Sequence, residues 1–203
     1  MVNPRALWYD FVRGTAALVF RGAYGMKIKV YGRENVPRKG GFILASNHAS
    51  HLDPEVLAIA CPRQVSFMAK EELFRNRIFG SLIHSVGAFP VKRGAADLGA
   101  IRTAFKRVRK GGGLLLFPQG GRRPIDDADE PEPGVGMFGQ RLGVPVVPAF
   151  VEGTHEAMAP GSKGIVKGVT VTVRFGPALA ACGGTDYAGT ASRIMKAIRS
   201  LRG

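Results

Sequence analysis

The chain has 203 residues, 45% of them hydrophobic, and carries 29 Lys and Arg against 15 Asp and Glu, a formal charge of +14. That length is one domain, or one domain with an appendage, and the composition supports a packed core without low complexity. Two cysteines, Cys61 and Cys182, exclude a disulfide framework and any C-x-x-C metal pair, so a reducing compartment is expected, while the charge favours a polyanionic partner: anionic lipid, nucleic acid, an acidic carrier protein or a phosphorylated substrate.

The first predicted element is a helix over residues 6–21. It is apolar but broken by Asp10 and Arg13, so it falls short of the roughly 20 mostly apolar residues a bilayer span needs. No cleavable signal peptide is expected. Trp8, Phe11, Leu18 and Val19, flanked by Arg5, Arg13 and Arg21, suit an interfacial helix. Packing on its own domain is the other reading, and the basic balance favours the membrane. Residues 1–25 are therefore expected to be an amphipathic membrane-contacting segment, and 26–203 the catalytic domain.

Met26 to Tyr31 alternates like a half-buried strand. Gly32 to Gly41 is a turn region, and Gly41 to Ala45 a short buried strand. Asp53-Pro54-Glu55 opens a helix with Asp53 as its N-cap, running to about Cys61 and stopped by Pro62. Val65 to Ala69 is a strand, Leu73 to Val86 mainly helical, and Phe89 to Val91 extended. Leu98, Ile101, Phe105 and Val108 share one helical face. Gly113 to Phe117 is an apolar strand entering a glycine loop, and Gln119 to Pro133 a long polar loop expected to be mobile through its acidic run 126–130. Val144 to Phe150 and Val169 to Phe175 are strands. The last helix starts at Thr190, with Ile194, Ala197, Ile198 and Leu201 inward and Arg193, Lys196, Arg199 and Arg202 outward. Strands alternating with helices imply a single α/β domain with a mixed, largely parallel sheet flanked by helices.

Chemistry concentrates at Asn47-His48-Ala49-Ser50-His51-Leu52-Asp53-Pro54, where a buried strand gives way to a helix. Such strand ends are where α/β sheets place their ligands. A carboxylate can hold one imidazole nitrogen while the other takes a proton from a hydroxyl. An aspartate before proline is more often a helix cap than a catalytic group, but Asp53 can serve both purposes. His51 competes with His48 for the base, and spacing alone does not decide between them. Asn47 and Ser50 read best as hydrogen-bonding braces of the loop.

Two further segments carry cations. Gly87 to Arg93 ends in an arginine whose planar fork matches phosphate oxygens; Lys92 beside it would point the other way in an extended chain. Phe117-Pro118-Gln119-Gly120-Gly121-Arg122-Arg123 ends a buried strand in paired glycines, whose backbone N–H groups suit an anion or a developing oxyanion. No G-x-S-x-G elbow occurs, so attack by the substrate hydroxyl itself is simpler than an acyl-serine route.

Taken in order over residues 26–178, these blocks resemble the glycerolipid acyltransferase family that includes bacterial 1-acylglycerol-3-phosphate acyltransferases. His48 to Asp53 matches its H-x4-D motif, Gly87 to Arg93 its second block, Phe117 to Arg122 its F-P-E-G-T-R block, and Val144 to Pro148 its proline-containing fourth block. Phe67 to Phe74 is similar to the segment between the first two. The resemblance implies that His48 is the general base, with Asp53 holding its other nitrogen. It implies that Arg93, Arg122 and Lys70 bind the acceptor phosphate, and that Gln119, Gly120 and Gly121 form the oxyanion-side loop. It implies acyl transfer from acyl-CoA or acyl carrier protein to 1-acylglycerol 3-phosphate, without cofactor or metal, by a peripheral protein on the cytoplasmic face of an anionic membrane. The chain departs from the pattern at Gln119, where the family usually has Glu, and at Gly121, where it usually has Thr.

Two rivals follow from those departures. One is an enzyme of the same kind acting on glycerol 3-phosphate, another lysophospholipid or a glycolipid. The other is a membrane- or nucleic-acid-binding protein that has lost its chemistry. Nucleic acid is not expected as a partner, because one Trp and four Tyr leave few aromatic platforms among the basic residues.

Overall fold

The computed structural model describes residues 4–92, 97–123, 130–180 and 183–203. Arg93, most of the acidic run (126–129) and Cys182 lie outside the described residues. In chain order the elements are α1 (Pro4–Gly22), β1 (Lys27–Tyr31), β2 (Phe42–Ser46), α2 (Asp53–Ala60), β3 (Val65–Lys70), a 3-10 turn (Glu71–Phe74), α3 (Arg77–Ser85), β4 (Ala88–Val91), α4 (Leu98–Arg109), β5 (Gly113–Leu116), α5 (Gly134–Leu142), β6 (Val146–Glu152), α6 (Thr154–Ala157), β7 (Thr170–Phe175) and α7 (Tyr187–Arg199); a further 3-10 turn spans Arg33–Asn35.

The seven strands form one sheet in the order β1-β7-β6-β2-β5-β3-β4. All pairings are parallel except β6 with β7. The sheet is therefore mixed and largely parallel, and helices cover both faces. β2 lies at its centre between β5 and β6, with Ala45 opposite Leu116 on one side and Pro148 on the other. Every residue of β2 is buried, which is why it reads as a continuous apolar run rather than an alternation. Phe42 and Leu44 enter the core under α2, while Ile43 and Ala45 enter the core under α4, α5 and α7.

The helices differ from the sequence expectation in instructive places. In α4 the sheet-facing residues are Ala100, Ala104 and Val108, whereas Leu98 is 61% exposed. Small side chains at i, i+4 and i+8 bring the helix close to the sheet, and the larger Ile101 and Phe105 fall on its flank, Phe105 against the Phe138 ring. The region 73–86 divides into a 3-10 turn and a helix, with Gly80 at their contact: an added Cβ would lie 2.8 Å from Phe74 Cα. α5 has no counterpart in the sequence reading, because three glycines in nine residues oppose a helix on propensity. Packing overrides this: a Cβ at Gly136 would lie 2.0 Å from the Tyr187 carbonyl oxygen, so glycine lets α5 approach α7.

One face of α1 packs on the domain and the other is open. Tyr9 and Phe20 are buried, Arg13 donates to the Cys61 carbonyl at 2.8 Å, and the Val65 N–H donates to Tyr9 Oη at 3.4 Å. Burial pushes the Tyr9 phenol up to about 12. Leu7, Trp8, Phe11, Leu18 and Val19 remain exposed on the other side of the same helix.

Candidate active site

The parallel strands β2 and β5 are neighbours, so the loops leaving their C-terminal ends meet. The first loop, 47–52, is held from below. Asn47 grips the backbone of Val151 with both ends of its amide, Nδ2 donating to the carbonyl and Oδ1 accepting from the N–H, each at 2.8 Å. Ser50 Oγ donates to the Met158 carbonyl at 2.7 Å and accepts from the Leu52 N–H at 3.2 Å. Asn47 and Ser50 are thus braces that tie the loop to β6 and to the segment after α6.

Asp53 is the hub of this loop. Its side chain is fully buried, and Oδ2 accepts from His48 Nδ1 at 2.8 Å, from the Ala49 N–H at 2.7 Å and from the Ser50 N–H at 2.8 Å. It is not the N-cap expected from its place before proline. Leu52 occupies the cap position without a side-chain bond, and Asp53 is the first helical residue, with its carboxylate turned back onto the preceding loop. The reason is that Ala49 and Ser50 present two N–H groups with no strand partner, and a buried carboxylate satisfies both together with the imidazole. An ionised carboxylate only accepts, so Nδ1 carries the hydrogen and Nε2 is the basic nitrogen. Oδ1 is buried with no hydrogen-bond partner among the described residues.

The second loop positions the imidazole from the other side. The Phe117 ring stacks on His48, with centroids 4.0 Å apart and planes 17° apart. Gln119, 9% exposed, accepts from the His48 backbone N–H through Oε1 at 2.9 Å, and its Nε2 donates to the Arg123 carbonyl at 3.4 Å. The Arg123 N–H donates in turn to the His48 carbonyl at 2.9 Å. His48 is therefore fixed at its ring, its ring nitrogen and both its backbone polar groups. Phe117 reads in the sequence only as the end of a strand entering the glycine loop; its stacking on His48 depends on β5 lying beside β2.

Gly120 adopts φ +66°, and a Cβ there would lie 2.7 Å from Glu132 Cγ, so the turn requires glycine. Its N–H closes that turn onto the Phe117 carbonyl at 3.1 Å. The Gly120 amide is thus engaged by the turn itself. Gly121 needs no glycine for packing, since a Cβ there meets nothing within 4 Å.

The cationic side of the site contains Arg122 and Lys70. Arg122 Nη1 lies against the ring nitrogens of His51. Lys70 ends β3 and is exposed. Burial lowers the His51 pKa first, and the charges of Arg122, His48 and Lys70 lower it further, so His51 is held neutral beside the guanidinium. The two histidines differ in their partners: His48 has the carboxylate, and His51 has the arginine. Of the residues singled out in the sequence, His48, Asp53, Gln119, Gly120 and Gly121 belong to the two meeting loops, with Arg122 and Lys70 beside His51; Arg93 lies outside the described residues. His155, which the sequence did not single out, adds a 3.4 Å contact between Nδ1 and the Ala49 carbonyl.

Residues 27–152 match the family model described as Acyltransferase. The chain belongs to the acyltransferase family. A 1-acyl-sn-glycerol-3-phosphate acyltransferase from Bacillus subtilis is 34% identical to it over 142 residues, 69% of this chain and 70% of the relative. The enzyme of that name from Streptococcus pneumoniae is 29% identical over 173 residues, 84% of this chain and 62% of the relative. The crystal structure of the 1-acyl-sn-glycerophosphate (LPA) acyltransferase from Thermotoga maritima superposes with a TM-score of 0.83 at 22% identity, over 97% of this chain and 79% of that one. This acyltransferase therefore shares that protein's fold, and its H-x4-D and F-P-Q-G-G-R segments, which carry the site described above, fall within the matched residues.

Proposed function

We propose that this acyltransferase moves a fatty acyl group from a thioester, carried by CoA or by an acyl carrier protein, to the free hydroxyl of 1-acylglycerol 3-phosphate. The observation that carries the reading is the His48–Asp53 pair, 2.8 Å apart with the carboxylate wholly buried, with His51 close by in the same loop under the influence of the cations Arg122 and Lys70. The names of the relatives support the acceptor.

In this mechanism the acceptor phosphate sits against Arg122 and Lys70, with Arg93 as a third cation by its place in the second block. His48 Nε2 removes the hydroxyl proton as the oxygen attacks the thioester carbonyl. Asp53 stabilises the imidazolium that forms. Collapse of the tetrahedral intermediate breaks the C–S bond, and the proton on His48 passes to the departing thiolate. A base of this kind contributes roughly 10²–10⁴-fold, and the rest comes from holding alcohol and thioester together. Gln119 does not weigh against catalysis, because it braces the His48 backbone, a task that needs an acceptor oxygen rather than a charge.

The membrane reading of α1 belongs to the same proposal. Its open face of Leu7, Trp8, Phe11 and Leu18 suits the headgroup boundary of an anionic bilayer, where a lysophospholipid acceptor resides. The protein would act as a peripheral enzyme on the cytoplasmic face. Thiol release from a long-chain acyl-CoA, dependent on 1-acylglycerol 3-phosphate, tests the reaction. His48→Ala should lower it by at least ~10²-fold. Near-normal turnover by that variant would overturn the assignment of the base.

A further inference from the structure

We infer that α3 is a second membrane-contacting element, and that its outer face and that of α1 together form the surface by which this acyltransferase sits on an anionic lipid bilayer. The inference rests on the reading of α1 as a membrane-contacting helix and adds a part of the fold that the sequence assigned only to a helical connection.

α3 is amphipathic in the wrong sense for a helix that only covers a core. Its buried residue is Gly80, the point of contact with the 3-10 turn. Its large apolar side chains face outward: Ile78 is 86% exposed, Phe79 and Leu82 each 44%, and Leu73 in the preceding turn 43%. At 100° per residue, Ile78, Leu82 and Phe79 fall on one side of the helix, and Arg77, Ser81 and His84 on another. Leaving such a cluster in water is unfavourable, and an isolated exposed leucine would need no explanation where this group does.

Two observations select a lipid surface. The first is continuity with α1. Trp8 donates through Nε1 to Ser85 Oγ at the end of α3, at 2.8 Å, and stacks on Phe11, 5.7 Å between centroids. The open faces of the two helices are thus joined at Trp8. The second is charge. Lys70, Arg75 and Arg77, all exposed, lie in the same segment as the patch against Glu71 and Glu72, in a chain of net charge +14. Exposed apolar side chains with basic ones close by in the chain are what an anionic headgroup layer accepts. None of the helices among the described residues is long and apolar enough to cross a membrane, so the contact is interfacial. The turn leading into α3 starts directly after Lys70, on the cationic side of the site. A protein seated on this surface has its acceptor-binding cations at the headgroup layer.

The test uses the full chain and vesicles of phosphatidylglycerol and phosphatidylethanolamine carrying brominated acyl chains. Trp8 is the one native tryptophan, so its quenching reads α1 alone. A Trp8→Phe, Ile78→Trp double variant reads α3 alone. Quenching of both fluorophores is the expected result. Quenching of native Trp8 without quenching at position 78 overturns the inference and leaves the α1 reading standing; quenching of neither overturns both. Ile78→Asp, at a position too exposed to carry the fold, should weaken vesicle binding by about tenfold with an unchanged melting temperature. Unchanged vesicle affinity in that variant contradicts the inference. So does a lipid-free dimer that Ile78→Asp dissociates, because the patch would then be covered by a second copy of the chain. Thiol release measured with a dispersed, vesicle-free acceptor should be the same for Ile78→Asp and the native chain, which separates failure of this surface from failure of the proposed reaction.

Discussion

Asp53→Asn is the sharpest perturbation of the site, because its outcome is set by atoms already placed. Three N–H groups converge on Oδ2, so the amide of the variant must turn its oxygen to them. Its NH2 then occupies the position of Oδ1, which is buried with no partner among the described residues. Leaving a buried donor unpaired costs about 1–3 kcal/mol. Turning three charge-assisted bonds into neutral ones costs about 1 kcal/mol each. Removing a buried carboxylate charge returns part of this as relieved desolvation. A net loss of about 2–3 kcal/mol follows, which in a chain of this length lowers Tm by roughly 5–10 °C. The chemical loss is larger. A neutral amide holds the ring and its tautomer in place but does not stabilise the imidazolium that forms when His48 takes a proton. Thiol release should therefore fall by at least ~10²-fold at a temperature where circular dichroism shows the variant folded. Turnover within threefold of the native chain, with Tm unchanged, would refute the argument that the Asp53 charge supports His48.

Gln119→Leu removes the acceptor of the partly buried His48 N–H, worth about 1 kcal/mol, and should lower thiol release by about 10–100-fold through the loosened loop; Gln119→Glu keeps that acceptor and should retain activity within about tenfold. A Gln119→Leu variant as active as the native chain would show that the brace is dispensable. His51 is held neutral by burial and by Arg122, His48 and Lys70, so a bound phosphate dianion must raise its pKa; the imidazole NMR titration should move to higher pH on adding inorganic phosphate, and a fixed midpoint would remove the anion from this place. Gly136→Ala drives a Cβ into the Tyr187 carbonyl and should destabilise the fold by about 2–3 kcal/mol in thermal melts, with α5 and α7 forced apart. A melt matching the native chain would mean that the two helices can separate without cost.

Much of this protein is legible without coordinates. The apolar runs of β2 and β5, the alternation of β7 and the outward arginines of α7 follow from burial and period. So does the His48–Asp53 pairing, because five residues across one strand-to-helix turn bring an imidazole back to a carboxylate. What stayed hidden depends on contacts distant in sequence. α5 forms because Gly136 meets Tyr187, not because its residues favour a helix. Leu98 turns outward because alanines suit the close approach of α4 to the sheet. The inverted face of α3 cannot be read from its period, since an apolar stripe looks the same whether it faces a core or a bilayer.

At the site the same division holds. Sequence alone determined where side chains of acid–base and cationic type cluster, since residue type and local spacing suffice for that. Only the tertiary structure decided which partners each one meets. It turned Asp53 from a helix cap into the partner of three loop donors, and it placed His48 rather than His51 on that carboxylate. It bound the Gly120 amide in a turn and set Gln119 under the His48 backbone, 71 residues away along the chain. The physical reason is that a hydrogen bond is fixed by the meeting of two loops, and that meeting is a property of the order of strands in the sheet, with β5 inserted beside β2, which no local pattern encodes.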